Sequence, residues 1–181
     1  LYIFFMKVLN HYTGIVKKKA YVFEGKTDID AKYFISKINK GVEEEGNQSY
    51  KTNVKSKMTN FQYFLKDKKF IKFTEKIKPA FVYHNNSCDV KLVDAWGNKT
   101  MPGDHVMTHD HGNVEISGIL YLEDGGEETF FTDMRIKIKP EVGKFLIFDS
   151  DLYHGVGTNI SKKPRYTMSF NFRQGGYEPI V

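Results

Sequence analysis

Apolar residues recur along this chain with two different periods. Between residues 27 and 80 the spacing is helical, and from residue 88 onward it alternates. Ala31, Phe34, Ile35 and Ile38 fall at i, i+3, i+4 and i+7, which is one face of a helix. Thr27-Asp28-Ile29-Asp30 has the form of a capping box before that helix, and Gly41 stands where it should end. Two shorter helices fit Phe61, Phe64 and Leu65, then Phe70, Phe73 and Ile77, with Pro79 stopping the second. Ahead of them the apolar run from Leu1 to Phe5 reads as a first strand and Asn10 to Gly14 as a turn. A second strand follows, ending near Phe23. The polar stretch from Glu43 to Lys57 reads as a loop.

In the alternating half, strands are expected at 89–96, 105–110, 115–122, 128–132, 134–139, 143–149 and 165–172, separated by Gly, Pro, Asn and Asp. Short strands at this spacing predict a mainly β chain with N-terminal helices, built as a sandwich or jelly roll rather than from βαβ units. The length of 181 residues suits a single domain over 1–181, with 1–87 supporting a core at 88–173. On the last strand Arg165, Thr167, Ser169 and Asn171 share one face, and Tyr166, Met168, Phe170 and Phe172 share the other. An all-polar row on a strand faces either water or a polar cavity, and the pattern leaves both open. In a cavity the Arg165 guanidinium could hold a carboxylate bidentately, with the Thr167 hydroxyl beside it.

Candidate chemistry concentrates in the same half, which holds His105, His109, His111 and His154, four of the six histidines. Side chains two apart on a strand point the same way, so His109 and His111 form a pair to which His154 adds a distant third. That is a metal-ligand pattern on a β-framework, with Asp110, pointing the opposite way, as the reserve carboxylate.

Composition adds limits. With 40% hydrophobic and 15% aromatic residues the chain reads as globular. Cys88 is the single cysteine, so no intrachain disulfide can form and a reducing, cytoplasmic setting is expected. The opening apolar run is too short to span a bilayer, and no membrane partner is expected. Residues 1–90 carry 17 lysines against 9 acids, the remainder 10 basic against 13 acidic residues. A lysine-rich half is either a solvated surface or a platform for an acidic partner, nucleic acid included. The lysine and aromatic interleaving at 66–78 falls at helical spacing and reads as an amphipathic helix packed on a sheet.

The residues from about 92 to 173 resemble the 2-oxoglutarate- and Fe(II)-dependent oxygenases, specifically the prolyl 4-hydroxylase-like branch. The likeness rests on His109-x-His111 with distal His154, and on Arg165-x-Thr167 eleven positions later. The strand Ser117-Gly118-Ile119-Leu120-Tyr121-Leu122 and the turn Gly125-Gly126-Glu127-Glu128-Thr129-Phe130 complete it. It implies a double-stranded β-helix (jelly-roll, cupin-like) catalytic core at 88–173, with Fe(II) as metal and 2-oxoglutarate as cosubstrate. Hydroxylation of a C–H bond with release of succinate and CO2 would be the reaction. It gives His109 and His154 the two histidine positions and Arg165 the distal carboxylate of 2-oxoglutarate. Thr167 would assist, Tyr121 would reach the same carboxylate from the neighbouring strand, and Asn98 would lie at the keto-acid end.

One position departs from the family pattern: where it has Asp or Glu, this chain has His111. Three neutral imidazoles leave a metal one charge more positive than two with a carboxylate. The rival reading is a cupin-type metal enzyme or small-molecule binder using His109, His111, Glu115 and His154. Arg165-x-Thr167 favours the oxygenase, since a cupin has no standing need for that arginine. Only 22 residues separate Phe131 from His154, too few for a long lid, unless the 42–60 segment closes the mouth. An open mouth suits a peptide or protein side chain better than a small free metabolite.

Overall fold

The computed structural model describes residues 5–13, 16–44, 53–81 and 89–174. Its alternating positions become antiparallel strands in two sheets. The larger contains β1 (Phe5–Thr13), β2 (Val16–Lys26), β4 (Lys57–Met58), β5 (Val90–Thr100), β7 (Ile116–Tyr121), β10 (Lys144–Asp149) and β12 (Arg165–Gln174), in the order β1-β2-β10-β7-β12-β5-β4. The smaller contains β3 (Val54–Lys55), β6 (His105–His109), β8 (Thr129–Phe131), β9 (Ile136–Ile138) and β11 (His154–Val156), in the order β3-β6-β11-β8-β9. All seven expected strands of the second half are present within a few residues. β11 was not foreseen, because three residues are too short to show a period.

Helices α1 (Ala31–Glu44) and α2 (Lys68–Ile77) cover the outer face of the larger sheet, and a 3-10 turn at Lys78–Phe81 accommodates Pro79. Phe34, Ile38, Phe70 and Phe73 are buried in one cluster with Leu120, Phe145, Met168, Phe170 and Phe172. The Phe170 ring stands edge-on to those of Phe70 and Phe73, both at 5.7 Å. A second cluster, with Ile119, Tyr121, Leu146 and Phe148 from one sheet and Phe131 and Ile138 from the other, fills one end of the space between the sheets.

Several N-terminal expectations are corrected. Helix α1 is capped by Asp30, whose Oδ1 accepts the Tyr33 amide at 3.1 Å, not by Thr27. It runs past Gly41 to Glu44. Gly41 is required for packing instead, since a Cβ there would come within 2.7 Å of the Tyr63 ring. Residues 61–66 are turns rather than a helix, because the Phe64 amide and the Phe61 carbonyl pair with Ala95 of β5. β1 continues through Asn10 to Thr13, and β2 extends to Lys26 because it pairs with β10. Leu1–Phe4, Gly14, residues 45–52 and Cys88 lie outside the described residues. Among the described residues no helix is long and apolar enough to cross a membrane.

Candidate active site

The strand β12 decides which way the polar row points. It lies inside the larger sheet with β7 and β5 along its edges, the helices over one face and the smaller sheet across the other. Tyr166, Met168, Phe170 and Phe172 pack toward the helices. Arg165, Thr167 and Ser169 therefore turn into the space between the sheets, at the end the apolar cluster leaves free. Asn171 continues that row, accepting from the Ser117 hydroxyl at 2.9 Å. The exposed-face reading of the row is excluded, for Arg165 is 7% and Thr167 8% exposed.

Three histidines converge on the same space. His109 and His154 sit directly opposite each other in the β6/β11 register. His111 lies just beyond β6, held by its amide to the Ser150 carbonyl at 2.8 Å. The ring centroids are 4.5 Å apart for His109–His154, 5.0 Å for His109–His111 and 5.2 Å for His111–His154. One donor atom from each falls within 4.8 Å of the others. The His109 Nδ1 lies 2.8 Å from the Met107 carbonyl and the His154 Nδ1 2.9 Å from the Leu152 carbonyl. A carbonyl only accepts, so these contacts assign the proton to Nδ1 and leave the Nε2 lone pair for a cation. Burial, then the neighbouring histidines, push His111 down to about 4 and His154 to about 3. Both rings are thus neutral at neutral pH, the form that binds metal. This donor set fits a first-row divalent ion, iron included.

The alternative ligands stand elsewhere. Asp110 is outside the cluster and its carboxylate accepts the Tyr153 hydroxyl. Glu115 is exposed and accepts the Gln174 amide at 3.2 Å, so the four-ligand cupin arrangement is not assembled.

The histidines, Arg165, Thr167 and Asn98 share one cavity of about 570 Å³, its volume including the open mouth. The Arg165 Nη1 donates to the Glu127 carbonyl at 2.7 Å, while its buried Nε has no partner. Burial lowers the Arg165 pKa, against the pull of Tyr121, Glu127 and Glu123. A buried guanidinium with an idle donor is costly by itself and is suited to an incoming anion. The glycine turn before β8 makes this placement possible. Gly125 and Gly126 have φ of 75° and 87°, and a Cβ on Gly126 would stand 3.3 Å from the Arg165 Cδ.

Asn98 donates to Thr167 Oγ1 at 3.3 Å and Ser169 Oγ at 3.0 Å, and accepts from the Trp96 indole at 3.1 Å. Tyr121 stands behind the wall: its hydroxyl donates to Thr129 Oγ1 at 2.6 Å, and Thr129 lines the cavity in its place. Burial raises the Tyr121 pKa. Thr129, Trp96 and Val54 are lining residues the sequence reading passed over. Alternation on β8 gives Thr129 the inward face of Phe131, a signal that was available. Val54 carried none, since it arrives on a two-residue strand inside a polar stretch.

A family model described as "Putative 2OG-Fe(II) oxygenase" matches residues 127–171, the segment that carries His154 and Arg165. No curated protein matches. Among solved structures, a viral collagen prolyl hydroxylase from Paramecium Bursaria Chlorella virus-1, complexed with 2-oxoglutarate, is similar at a TM-score of 0.62 and 20% identity, over 82% of this chain and 91% of that one. A Pseudomonas putida prolyl-4-hydroxylase is similar at 0.65 and 15% identity, over 86% and 93%. HygX from Streptomyces hygroscopicus, bound to nickel, 2-oxoglutarate and hygromycin B, is similar at 0.64 and 11% identity, over 87% and 84%. The chain thus shares its jelly-roll fold with these prolyl hydroxylase structures, and its segment 127–171 matches the model of the 2-oxoglutarate- and Fe(II)-dependent oxygenases.

Proposed function

We propose that this protein is a 2-oxoglutarate- and Fe(II)-dependent oxygenase that hydroxylates a C–H bond on a peptide or protein side chain, with His109, His111 and His154 holding Fe(II) and Arg165 holding the distal carboxylate of 2-oxoglutarate. One observation carries the site assignment: three converging imidazoles share a cavity with a buried arginine whose Nε is unpartnered. Bound Fe(II) and 2-oxoglutarate would supply the means to activate O2, one oxygen atom of which would enter the C–H bond and the other the new carboxylate of succinate as CO2 leaves.

The protein's own share is placement. The Met107 and Leu152 carbonyls fix the His109 and His154 rings through Nδ1. Arg165, braced on the Glu127 carbonyl, orients the cosubstrate from the far end. Thr167 adds a hydroxyl held by Asn98, and Thr129 a second held by Tyr121. Val106, Ile119, Phe148 and Val156 supply an apolar wall that disfavours water in the cavity.

The peptide preference has two supports. The 22 residues between Phe131 and His154 are largely β9, β10 and tight turns, with no long lid among them. Phe61, Met107 and Tyr153 are 47–48% exposed; Phe61 is edge-on to Trp96 at 5.0 Å, and the other two flank His109 and His154 in the chain. Such exposed apolar side chains near a cleft suit a peptide that lies across it.

The fold alone does not choose a substrate. The test is succinate release above the uncoupled background, comparing peptide pools with amino acids, nucleosides and other metabolites. Stimulation by peptides is expected. Stimulation by a free small molecule, with none from any peptide, refutes the assignment.

A further inference from the structure

The wall of the cavity lacks a negative charge. No aspartate or glutamate is among its lining residues, and Arg165 is the one permanently charged side chain there. Asp110, next to the histidines in sequence, is engaged with the Tyr153 hydroxyl, and its charge reaches His154 only from outside the cavity wall and not as a ligand. Asn98, Ser117, Thr129, Thr167 and Ser169 offer dipoles but no charge. A divalent ion on His109, His111 and His154 therefore keeps both positive charges, where a carboxylate ligand would cancel one. The keto-acid end of 2-oxoglutarate brings one negative charge to the metal, and its distal carboxylate is matched by Arg165 at the other end. One positive charge remains at the metal end, among apolar residues that screen it poorly.

We propose that this surplus charge selects the substrate: the peptide segment that enters the cavity carries a carboxylate, and the target is an acidic stretch. The inference rests on the function proposed above and deepens it. A second observation agrees with it. Residues 1–90 carry 17 lysines against 9 acids, a field that attracts an acidic partner before it docks.

The test uses the protein loaded with Co(II) and saturated with 2-oxoglutarate, at fixed ionic strength. Acetate and its neutral counterpart acetamide are titrated while the visible Co(II) bands are followed. Acetate should bind at least about tenfold more tightly than acetamide, because at the effective dielectric of a protein site a unit charge beside a bound anion outweighs that factor. His111→Asp should keep one equivalent of Co(II) and lose the preference for acetate, and His111→Glu provides a second variant should the first fold poorly. In parallel, a peptide that supports succinate release is compared with versions in which each Asp or Glu becomes Asn or Gln, and turnover should fall by about tenfold or more when the critical acid is neutralised. Equal binding of acetate and acetamide by the wild type, an unchanged preference in the His111 variants, or indifference to neutralised peptides overturns this inference alone. Failure to take up Co(II), or bands unmoved by 2-oxoglutarate, overturns the oxygenase site itself and this inference with it.

Discussion

His109 and His154 face each other across the β6/β11 ladder, 109 against 154 in register, with ring centroids 4.5 Å apart. The pairing places them on a rigid part of the smaller sheet, each ring fixed by a carbonyl two residues earlier in the chain. His111 completes the cluster from beyond the strand end, held by its amide to the Ser150 carbonyl and by its carbonyl to the Val114 amide in a turn. The two kinds of support are unequal, and that inequality is testable.

Alanine at His109 or His154 should abolish stoichiometric metal binding, because each supplies a third of the protein ligands on a preformed frame. His111→Ala should weaken uptake strongly, and Asp110→Ala should leave it intact. Metal content by mass spectrometry after Fe(II) or Co(II) loading decides the matter. Full occupancy in His111→Ala with loss in Asp110→Ala reverses the ligand assignment.

Arg165→Met should keep the melting temperature within a few degrees and weaken 2-oxoglutarate binding by about 2–4 kcal/mol, the scale for losing one partner of a buried charge pair. The fold tolerates the change because, among the described residues, the guanidinium makes one hydrogen bond, to the Glu127 carbonyl, and leaves Nε idle. Anaerobic titration of the Fe(II) complex, followed by its charge-transfer absorption, reads the affinity directly. An unchanged affinity removes Arg165 from the cosubstrate site.

Gly126→Ala tests whether the glycine turn serves the arginine. At φ 87° an alanine is strained by about 1–2 kcal/mol, and its Cβ would press on the Arg165 Cδ at 3.3 Å. The expected result is a modest loss of stability together with weaker 2-oxoglutarate binding. Gly103→Ala is the control. It has a similar φ of 88° but nothing within 4 Å of a Cβ, so it should lose stability without losing affinity.

Asp67 ties α2 to α1, and its titration should show in the acid limb of stability. Its side chain accepts the Lys69 and Phe70 amides at 3.0 and 3.1 Å, and the Tyr33 hydroxyl at 2.6 Å. Burial alone would raise its pKa. The hydrogen bonds from Tyr33, Phe70 and Lys37 outweigh that and lower it below the ordinary 3.8. A carboxylate whose pKa is depressed on folding stabilises fully above its unfolded value and loses that contribution as pH falls through the folded one. Asp67→Asn should therefore cost stability at neutral pH, by about 1 kcal/mol for the cap. The deficit should shrink as pH falls below 3.8. Melting curves of both proteins across that range would show parallel lines if Asp67 did not contribute in this way.

How much of this could be read from the residues alone varies with the range of the interaction. Alternation announced the strands of the second half, since each of the longer ones buries a face and its period is local. The same period put His109 and His111 on one side and set Arg165, Thr167 and Ser169 in one row. Helix α2 was legible from Phe70, Phe73 and Ile77, all buried as the spacing required. The end of α1 was not: Gly41 looks like a terminator in sequence and becomes a contact point only when Tyr63 packs on it.

The direction of the polar row on β12 was likewise beyond sequence. A polar face is the same string of letters whether it meets water or a cavity, and only the smaller sheet lying across that face of β12 encloses it. Local sequence was enough for the strand pattern, the helix α2 and the candidate site residues, because those follow from neighbours a few positions apart. Tertiary structure decided that His154 meets His109 across 45 positions, that Tyr121 backs Thr129 rather than the cavity, and that a two-residue strand delivers Val54 to the wall. Those outcomes depend on which strands pair and in what register, and pairing is settled by the burial of the whole sheet rather than by any segment within it.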